Sequence, residues 1–163
     1  MKILGIDPGY AIVGFGIVEH IGNRFRVIDY GSIKTKAGLP SVERLQIIYN
    51  ELRLLIYKNK PDCMAIEKLF FNTNVKTAIG VAQARGVLLL GAANEGLEIA
   101  EYTPLQIKQA VTGYGRADKP QIQQMVKSLL GLDKVPKPDD TADALAVAIC
   151  HAHSARMTRI QGL

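Results

Sequence analysis

The chain has 163 residues, of which 48% are hydrophobic, 21% charged and 6% aromatic, and this predicts a single domain spanning residues 1–163. Its apolar stretches are shorter than the roughly 18 residues of a membrane span. The start MKILGIDPG carries no signal region, and Cys63 and Cys150 suit buried thiols better than a disulfide, so we expect a cytoplasmic protein. The net charge of +5 permits a nucleic-acid partner without establishing one.

The start of the chain predicts three β-strands that pair as an antiparallel meander. Lys2–Ile6 is a short apolar run that stops at Asp7, where a Pro-Gly turn follows. Ile12–Glu19 and Phe25–Ile33 carry alternating β-favouring residues on either side of a turn-like Gly-Asn pair. The first strand therefore ends on a carboxylate.

Helices and strands alternate from this point on. Apolar residues at helical spacing predict a helix from Ser41, a candidate N-cap, to a stop at Pro61. The strand Cys63–Ile66 ends on Glu67, so a second strand ends on a carboxylate. After a polar stretch, Val75–Asn94 is apolar around much of its predicted helix, which fits either a core helix or a contact with a partner chain.

The last third of the chain predicts one more strand and three helices. The strand is Leu97–Tyr102, and a capping box with proline at the first helical position opens a helix to about Val111. Asp118 can cap the next helix through Leu130, and the last helix begins near Asp139. This order predicts an α/β domain with a mixed sheet of five strands, the first three antiparallel and the others parallel, flanked by helices on both faces.

Acidic residues on three of these elements are predicted to meet. Asp7 and Glu67 end strands at the edge where α/β sheets collect their ligands. Asp140 and Asp143 are three residues apart at the start of the last helix, so they share one of its faces. Taken singly, each segment also fits an ordinary turn, strand end or helix cap, but capping does not explain Asp143.

A group of carboxylates this close together is typical of a site for divalent cations. Gathered carboxylates repel one another unless cations lie between them, or they take up protons. An all-oxygen ligand set favours Mg²⁺ or Mn²⁺ over zinc. Two such ions can activate water and stabilise the leaving oxygen in phosphodiester hydrolysis. The acidic residues therefore predict a site for two Mg²⁺ ions, with Mn²⁺ as the alternative.

Four blocks of sequence resemble one known family. They are Gly5–Gly9, Ala65–Glu67, Gln83–Gly86 and Asp140–Ala146. In order and separation they are similar to the bacterial RuvC crossover-junction endodeoxyribonucleases over nearly the whole chain, although the first block alone also resembles actin-like ATPases. The resemblance implies a ribonuclease-H-like fold, a homodimer, and Mg²⁺-dependent symmetric nicking of four-way (Holliday) DNA junctions in recombination and repair. It further implies 5′-phosphate and 3′-hydroxyl products and a functional partnership with the RuvA–RuvB branch-migration complex.

The resemblance also implies roles for individual residues. The metal-binding catalytic set is Asp7, Glu67, Asp140 and Asp143. Asp140 is preferred to its neighbour Asp139 because its spacing to Asp143 fits the family's D-x-x-D pattern. Lys119 aligns with a family lysine near the active site, where it can stabilise charge on the phosphate; a solvated lysine is the alternative.

Further residues are predicted to contact DNA. Phe70 occupies the family's aromatic position and is expected to stack on an exposed base, while Phe71 is expected to turn inward. Lys108 matches a family lysine near DNA. Other basic residues can neutralise phosphates or merely be solvated: Lys76, Arg85, Arg116, Lys134 and Lys137. The basic stretch His151–Arg159 fits either a DNA contact or a helix end.

Three other functions remain open at this stage. The chain can be a junction-binding protein with weak or no catalysis, or a related nuclease that cuts RNA–DNA hybrids. An actin-like ATP phosphotransferase is disfavoured, because that fold needs two lobes and the sequence has no second phosphate loop. Cleavage of a junction beside a hybrid separates these functions.

Overall fold

The predicted order of strands and helices is confirmed, with small differences at their ends. The computed structural model describes residues 1–70 and 75–161, and side chains for 1–70 and 76–155. Its elements are β1 (Lys2–Asp7), β2 (Ile12–Ile21), β3 (Arg24–Lys34), α1 (Ser41–Asn59), β4 (Cys63–Glu67), α2 (Val75–Asn94), β5 (Glu98–Tyr102), α3 (Pro104–Thr112), α4 (Lys119–Leu129) and α5 (Asp139–Gln161). None of the described helices is long and apolar enough to cross a membrane.

The strands form the expected mixed sheet in the order β3-β2-β1-β4-β5. The first three pair antiparallel, whereas β4 runs parallel to β1 and β5 runs parallel to β4. In the β1–β4 register Ile6 pairs with Ile66, so Asp7 and Glu67 are the next residues on adjacent parallel strands. The two carboxylates therefore share one edge of the sheet.

Alternation along the strands builds a core on each face of the sheet. Ile3 of β1 and Ala65 of β4 are buried with α3, α4 and α5. Leu4 and Ile66 point the other way and are buried with α1 and α2. Because side chains on a strand alternate between faces, Asp7 is on the α5 side with Ile3.

Glycines let α5 lie very close to the centre of the sheet. A Cβ atom built on Gly5 would be 2.2 Å from the carbonyl oxygen of Ala144, and one on Gly14 would be 1.9 Å from that of Asp140. The absence of side chains at Gly5 and Gly14 is what permits this approach of two backbones. The close approach brings the first turns of α5 to the ends of β1 and β2.

Two of the three predicted helix caps are confirmed. Thr103 and Asp118 each form a capping box with the residue three positions later. The prediction of Ser41 as an N-cap is wrong: α1 already begins at Ser41, and the cap position is Pro40, without a side-chain cap bond. The extended Pro40 instead supplies its carbonyl oxygen to the N–H of Arg44, at 3.1 Å.

Candidate active site

The four predicted carboxylates converge on the α5 side of the sheet edge. Asp7 and Glu67 end β1 and β4, and alternation on each strand places both on the face that α5 covers. Asp140 and Asp143 lie in the first turns of α5, where the glycines of β1 and β2 admit the helix. The charges of Asp143, Glu67 and Asp140 all act on Asp7, so the three groups lie near it.

Asp139 and Asp140 face different surroundings although they are adjacent. Asp139 pairs with Lys137, whose Nζ lies 2.7 Å from its Oδ1, and the hydrogen bond from Lys137 lowers the pKa of the Asp139 carboxyl. Asp140 instead acts on Asp7, whose pKa its charge raises. Neither residue is the N-cap, because α5 begins at Asp139. Asp140 therefore lies near Asp7, whereas Asp139 pairs with Lys137 and, more distantly, with Lys119.

Burial and like charges make the site costly to ionise. Burial, followed by the charges of Asp143, Glu67 and Asp140, raises the pKa of Asp7 to about 8, and Lys119 opposes this rise. Burial likewise raises the pKa of Glu67 and of Asp143, and each of these shifts is partly offset by Lys119. Without a cation Asp7 therefore retains a proton into the physiological range.

Lys119 brings a positive charge to the carboxylates. Its Nζ lies 3.2 Å from Oδ2 of Asp143 and 3.6 Å from Oδ2 of Asp139. Burial opposes its charged form, but Asp143 and the two neighbouring aspartates raise the pKa of Lys119 overall. It is about half exposed, so the same ammonium group can reach a substrate phosphate. The prediction that Lys119 is at the site agrees with this geometry.

Two of the four carboxylates border a concavity of about 290 Å³. Glu67, Asp143 and Lys119 line it together with Lys108 of α3, whose charge opposes the rise in the pKa of Glu67. Acidic and basic groups therefore meet in one open space. Such a space can accept a phosphate while its carboxylate side holds cations.

The donor set fits hard divalent cations, although the ligands are not fully gathered. Within the residues described, no three His, Cys, Asp or Glu side chains already enclose a metal position. The donors at the site are carboxylate oxygens, which Mg²⁺ and Mn²⁺ prefer. Burial raises the pKa of Asp7 and of Asp143, and a bound cation would offset this cost of ionising them.

Arg85 of α2 supports the end of β4 and is not available to DNA. Its Nε donates to the backbone oxygen of Glu67 at 3.2 Å, and its guanidinium also pairs with Glu101 of β5. The side chain is only 15% exposed. The hypothesis of a phosphate contact at Arg85 is therefore replaced by a positioning role for Glu67. Lys137 is likewise engaged, by Asp139.

A second support lies behind the end of β1 and was not predicted from sequence. The guanidinium of Arg44 stacks on the ring of Tyr10 at 3.8 Å, and its Nε donates to the hydroxyl of Thr35 at 2.8 Å. Thr35 in turn donates to the backbone oxygen of Tyr10 at 2.7 Å. This buried network holds the loop that follows Asp7. The network joins residues that are far apart in the sequence, so no local sequence pattern predicts it.

The remaining predicted DNA contacts differ in their exposure. Phe70 is 61% exposed directly after β4, as a stacking residue requires. Lys76 and Arg116 are exposed, whereas Lys108 is half-buried in the concavity. Phe71 and the side chains beyond residue 155 lie outside the described residues, which leaves out the inward turn of Phe71 and most of the C-terminal basic stretch.

Comparison with known proteins agrees with this geometry. The family described as "Crossover junction endodeoxyribonuclease RuvC" matches residues 3–151. The RuvC of Alkaliphilus oremlandii is 64% identical over 98% of both chains, and that of Halothermothrix orenii is 61% identical over 99% of this chain and 98% of its own. A solved structure, Thermus thermophilus RuvC in complex with Holliday junction substrate, superimposes with a TM-score of 0.92 at 36% identity and covers 96% of each chain. The chain belongs to the family of RuvC crossover junction endodeoxyribonucleases.

Proposed function

We propose that this chain resolves Holliday junctions by paired, metal-dependent nicks, with Asp7, Glu67, Asp140 and Asp143 as the metal-binding set. The observation that carries the proposal is the proximity of Asp7 to the other three carboxylates, two of which line an open concavity together with Lys119. Relatives about 60% identical carry the crossover junction nuclease name, and the Thermus thermophilus structure holds a Holliday junction. Products with 5′-phosphate and 3′-hydroxyl ends follow from hydrolysis of the bond to the 3′ oxygen.

The position of each residue suggests its role in binding cations, phosphate or a base. Asp7, at the end of the central strand, lies among the other carboxylates and would hold the cations together with them. Bound Mg²⁺, or Mn²⁺ in its place, supplies Lewis-acid stabilisation of the phosphate and lowers the pKa of water. Lys119 and Lys108 place positive charge at the phosphate, and Phe70 stacks on a base beside it. Lys76 and Arg116 lie exposed where they can pair with flanking phosphates.

The test is cleavage of a synthetic four-way junction beside a linear duplex and an RNA–DNA hybrid, with Mg²⁺ present or chelated. Paired nicks on the junction alone, absent with chelator, are the expected result. Cleavage of the hybrid would instead identify a different nuclease, and tight junction binding without any cut would identify a binding protein. Gel analysis of strands labelled at either end distinguishes these outcomes.

Metal binding predicts a pH-dependent gain in stability. Since the folded state raises the pKa of Asp7 to about 8, the folded chain holds a proton that the unfolded chain has lost, and metal-free stability falls as the pH rises from about 4 to 8. At about 100 times its Kd, Mg²⁺ adds about 2.7 kcal/mol, which is roughly 5–10 °C in Tm. Thermal unfolding at pH 6 and pH 8 checks this. We expect the larger Mg²⁺ shift at pH 8, and equal shifts at both values would contradict it.

We also propose that α2 forms a two-fold dimer with a second copy of the chain. Ala84, Leu88 and Ala92 bury one face of α2 in the core. Its opposite face leaves Ile79 and Leu90 about 60% exposed, with Gly86 open between them. An apolar stripe with a small residue at its centre suits close helix contact, and a two-fold dimer matches the two-fold symmetry of a four-way junction.

The dimer predicts a specific defect. Leu90→Glu places a charge in the stripe and should give monomers that lose coordinated paired nicking, because burying an unpaired charge costs several kcal/mol. Light scattering coupled to gel filtration measures the mass. Leu54→Glu is the matched control, since Leu54 is 60% exposed on α1 and should leave the dimer intact. A Leu90→Glu protein that remains dimeric would place the interface elsewhere.

The proposal also covers the domain organisation, the cellular compartment and the functional partner. We propose that residues 1–163 form a single domain, since one sheet carries all the described elements. The two free cysteines are buried thiols, in keeping with a reducing cytoplasm. The RuvA–RuvB branch-migration complex is the proposed functional partner on the grounds of family membership.

A further inference from the structure

A second hollow, of about 600 Å³, lies between α4 and the loop that joins α3 to α4. Tyr114 of the loop and Met125 of α4 supply its main apolar surfaces, and Gln121 and Gln124 supply amides. No role assigned above uses this hollow. We infer that it binds one unpaired nucleobase of the junction strand being cut, next to the scissile phosphate, and this inference rests on the proposed function.

The position of the hollow points to the substrate strand. It shares Ala117 and Asp118 with the concavity that contains Glu67 and Lys119. The two spaces therefore lie on either side of one short backbone segment. A strand whose phosphate lies at Lys119 carries its neighbouring nucleotide across that segment. The hollow thus adjoins the active site.

The chemistry of the walls favours a base over a phosphate. Asp118 is the only charged residue among those that line the hollow in the described part of the chain, and an anionic group has no cation to meet there. A flat ring can instead lie against Tyr114 and Met125, which are 55% and 36% exposed. The side-chain oxygen of Gln121 accepts from the N–H of Asp118, at 2.9 Å, so its amide nitrogen points away from that bond as a donor for a base edge.

The backbone around Tyr114 is held although its ring is exposed. The N–H of Tyr114 donates to the hydroxyl of Thr112 at 3.1 Å, and its carbonyl oxygen accepts from the N–H of Ala117 at 3.2 Å. Gly113 adopts φ of +72°, in the left-handed region, and closes α3 through a bond from its N–H to the carbonyl oxygen of Gln109. An exposed aromatic ring on a fixed loop is pre-organised for stacking, because little further ordering is needed on binding.

Single abasic sites in the junction provide the test. Each junction carries one abasic site at a different position near the cut, and binding in chelator is measured beside nicking in Mg²⁺. In the wild type, one abasic position should weaken binding and slow nicking about tenfold, within the range for loss of one stacked base. Tyr114→Ala should weaken binding of the intact junction by a similar factor. Its binding should no longer depend on whether that one position is abasic. Tyr114→Phe, which keeps the ring, should behave as the wild type.

The controls separate this inference from the proposed function. Tyr57→Ala removes a tyrosine that is 80% exposed on α1 and should retain every abasic effect. A base stacked on Phe70 gives a different abasic position, whose effect survives Tyr114→Ala. If Tyr114→Ala remains sensitive at every position, the inference is overturned. A wild type that binds junctions but nicks none would refute the proposed function. In that case the binding measurements alone would still show whether Tyr114→Ala removes the effect of one abasic position, and so whether the hollow binds a base.

Discussion

Asp7→Asn is expected to abolish nicking of four-way junctions while junction binding persists. Asparagine retains the shape of the side chain but offers one neutral oxygen where the carboxylate supplies charge to the cations. Losing several kcal/mol of charge stabilisation lowers the rate about 10³-fold or more. Binding measured in chelator should be unchanged or tighter, because the substitution removes a negative charge beside the phosphate. Rates from single-turnover nicking and Kd values from gel shifts give the two numbers.

The adjacent aspartates of α5 supply the matched control for this result. Asp140→Asn should lower the nicking rate strongly. Asp139→Asn should lower it much less, since Asp139 pairs at 2.7 Å with Lys137 and lies farther from Lys119, at 3.6 Å, than Asp143 does, at 3.2 Å. Both variants change the same residue type at the same helix end. Metal-free Asp7→Asn should also unfold at a higher temperature than the wild type at pH 8, because it removes a buried carboxyl with a raised pKa. Equal nicking rates for Asp139→Asn and Asp140→Asn, both strongly reduced, would contradict the assignment.

Sequence patterns predicted the site because its residues end elements with strong periodic signals. Asp7 and Glu67 follow short apolar strands, and parallel strands place their carboxyl ends at one edge. Asp143 could be placed on the same helix face as Asp140 from spacing alone. The choice between Asp139 and Asp140 needed the family pattern, since consecutive helix residues differ by about 100° in direction. The hydrogen bond from Lys137 to Asp139 supports Asp140 as the ligand, which stays a prediction.

The residues that hold the site in place could not be predicted from the sequence, for a physical reason. Arg44 and Tyr10 meet only when α1 packs beside the end of β1, and neither residue belongs to a local motif. Arg85 shows why a basic residue on a helix does not by itself indicate a DNA contact. Its guanidinium binds the backbone oxygen of Glu67 and the carboxylate of Glu101 within the protein. The glycines of β1 and β2 did carry a readable signal, because glycine within a strand often marks a close backbone approach.

Gly14→Ala is expected to disable the enzyme by moving α5. The added Cβ would lie 1.9 Å from the carbonyl oxygen of Asp140 and 2.4 Å from its carbonyl carbon, so the backbone of the helix start must shift. Overpacking of this kind costs about 1–3 kcal/mol, and a displacement of about 1 Å at catalytic groups can lower the rate about 10²-fold. Urea unfolding and nicking rates below the transition measure the two effects. Gly38→Ala is the control, because a Cβ there meets no atom within 4 Å, and it should leave both unchanged. A Gly14→Ala protein with wild-type nicking would show that the site does not depend on this close packing of α5 against β2.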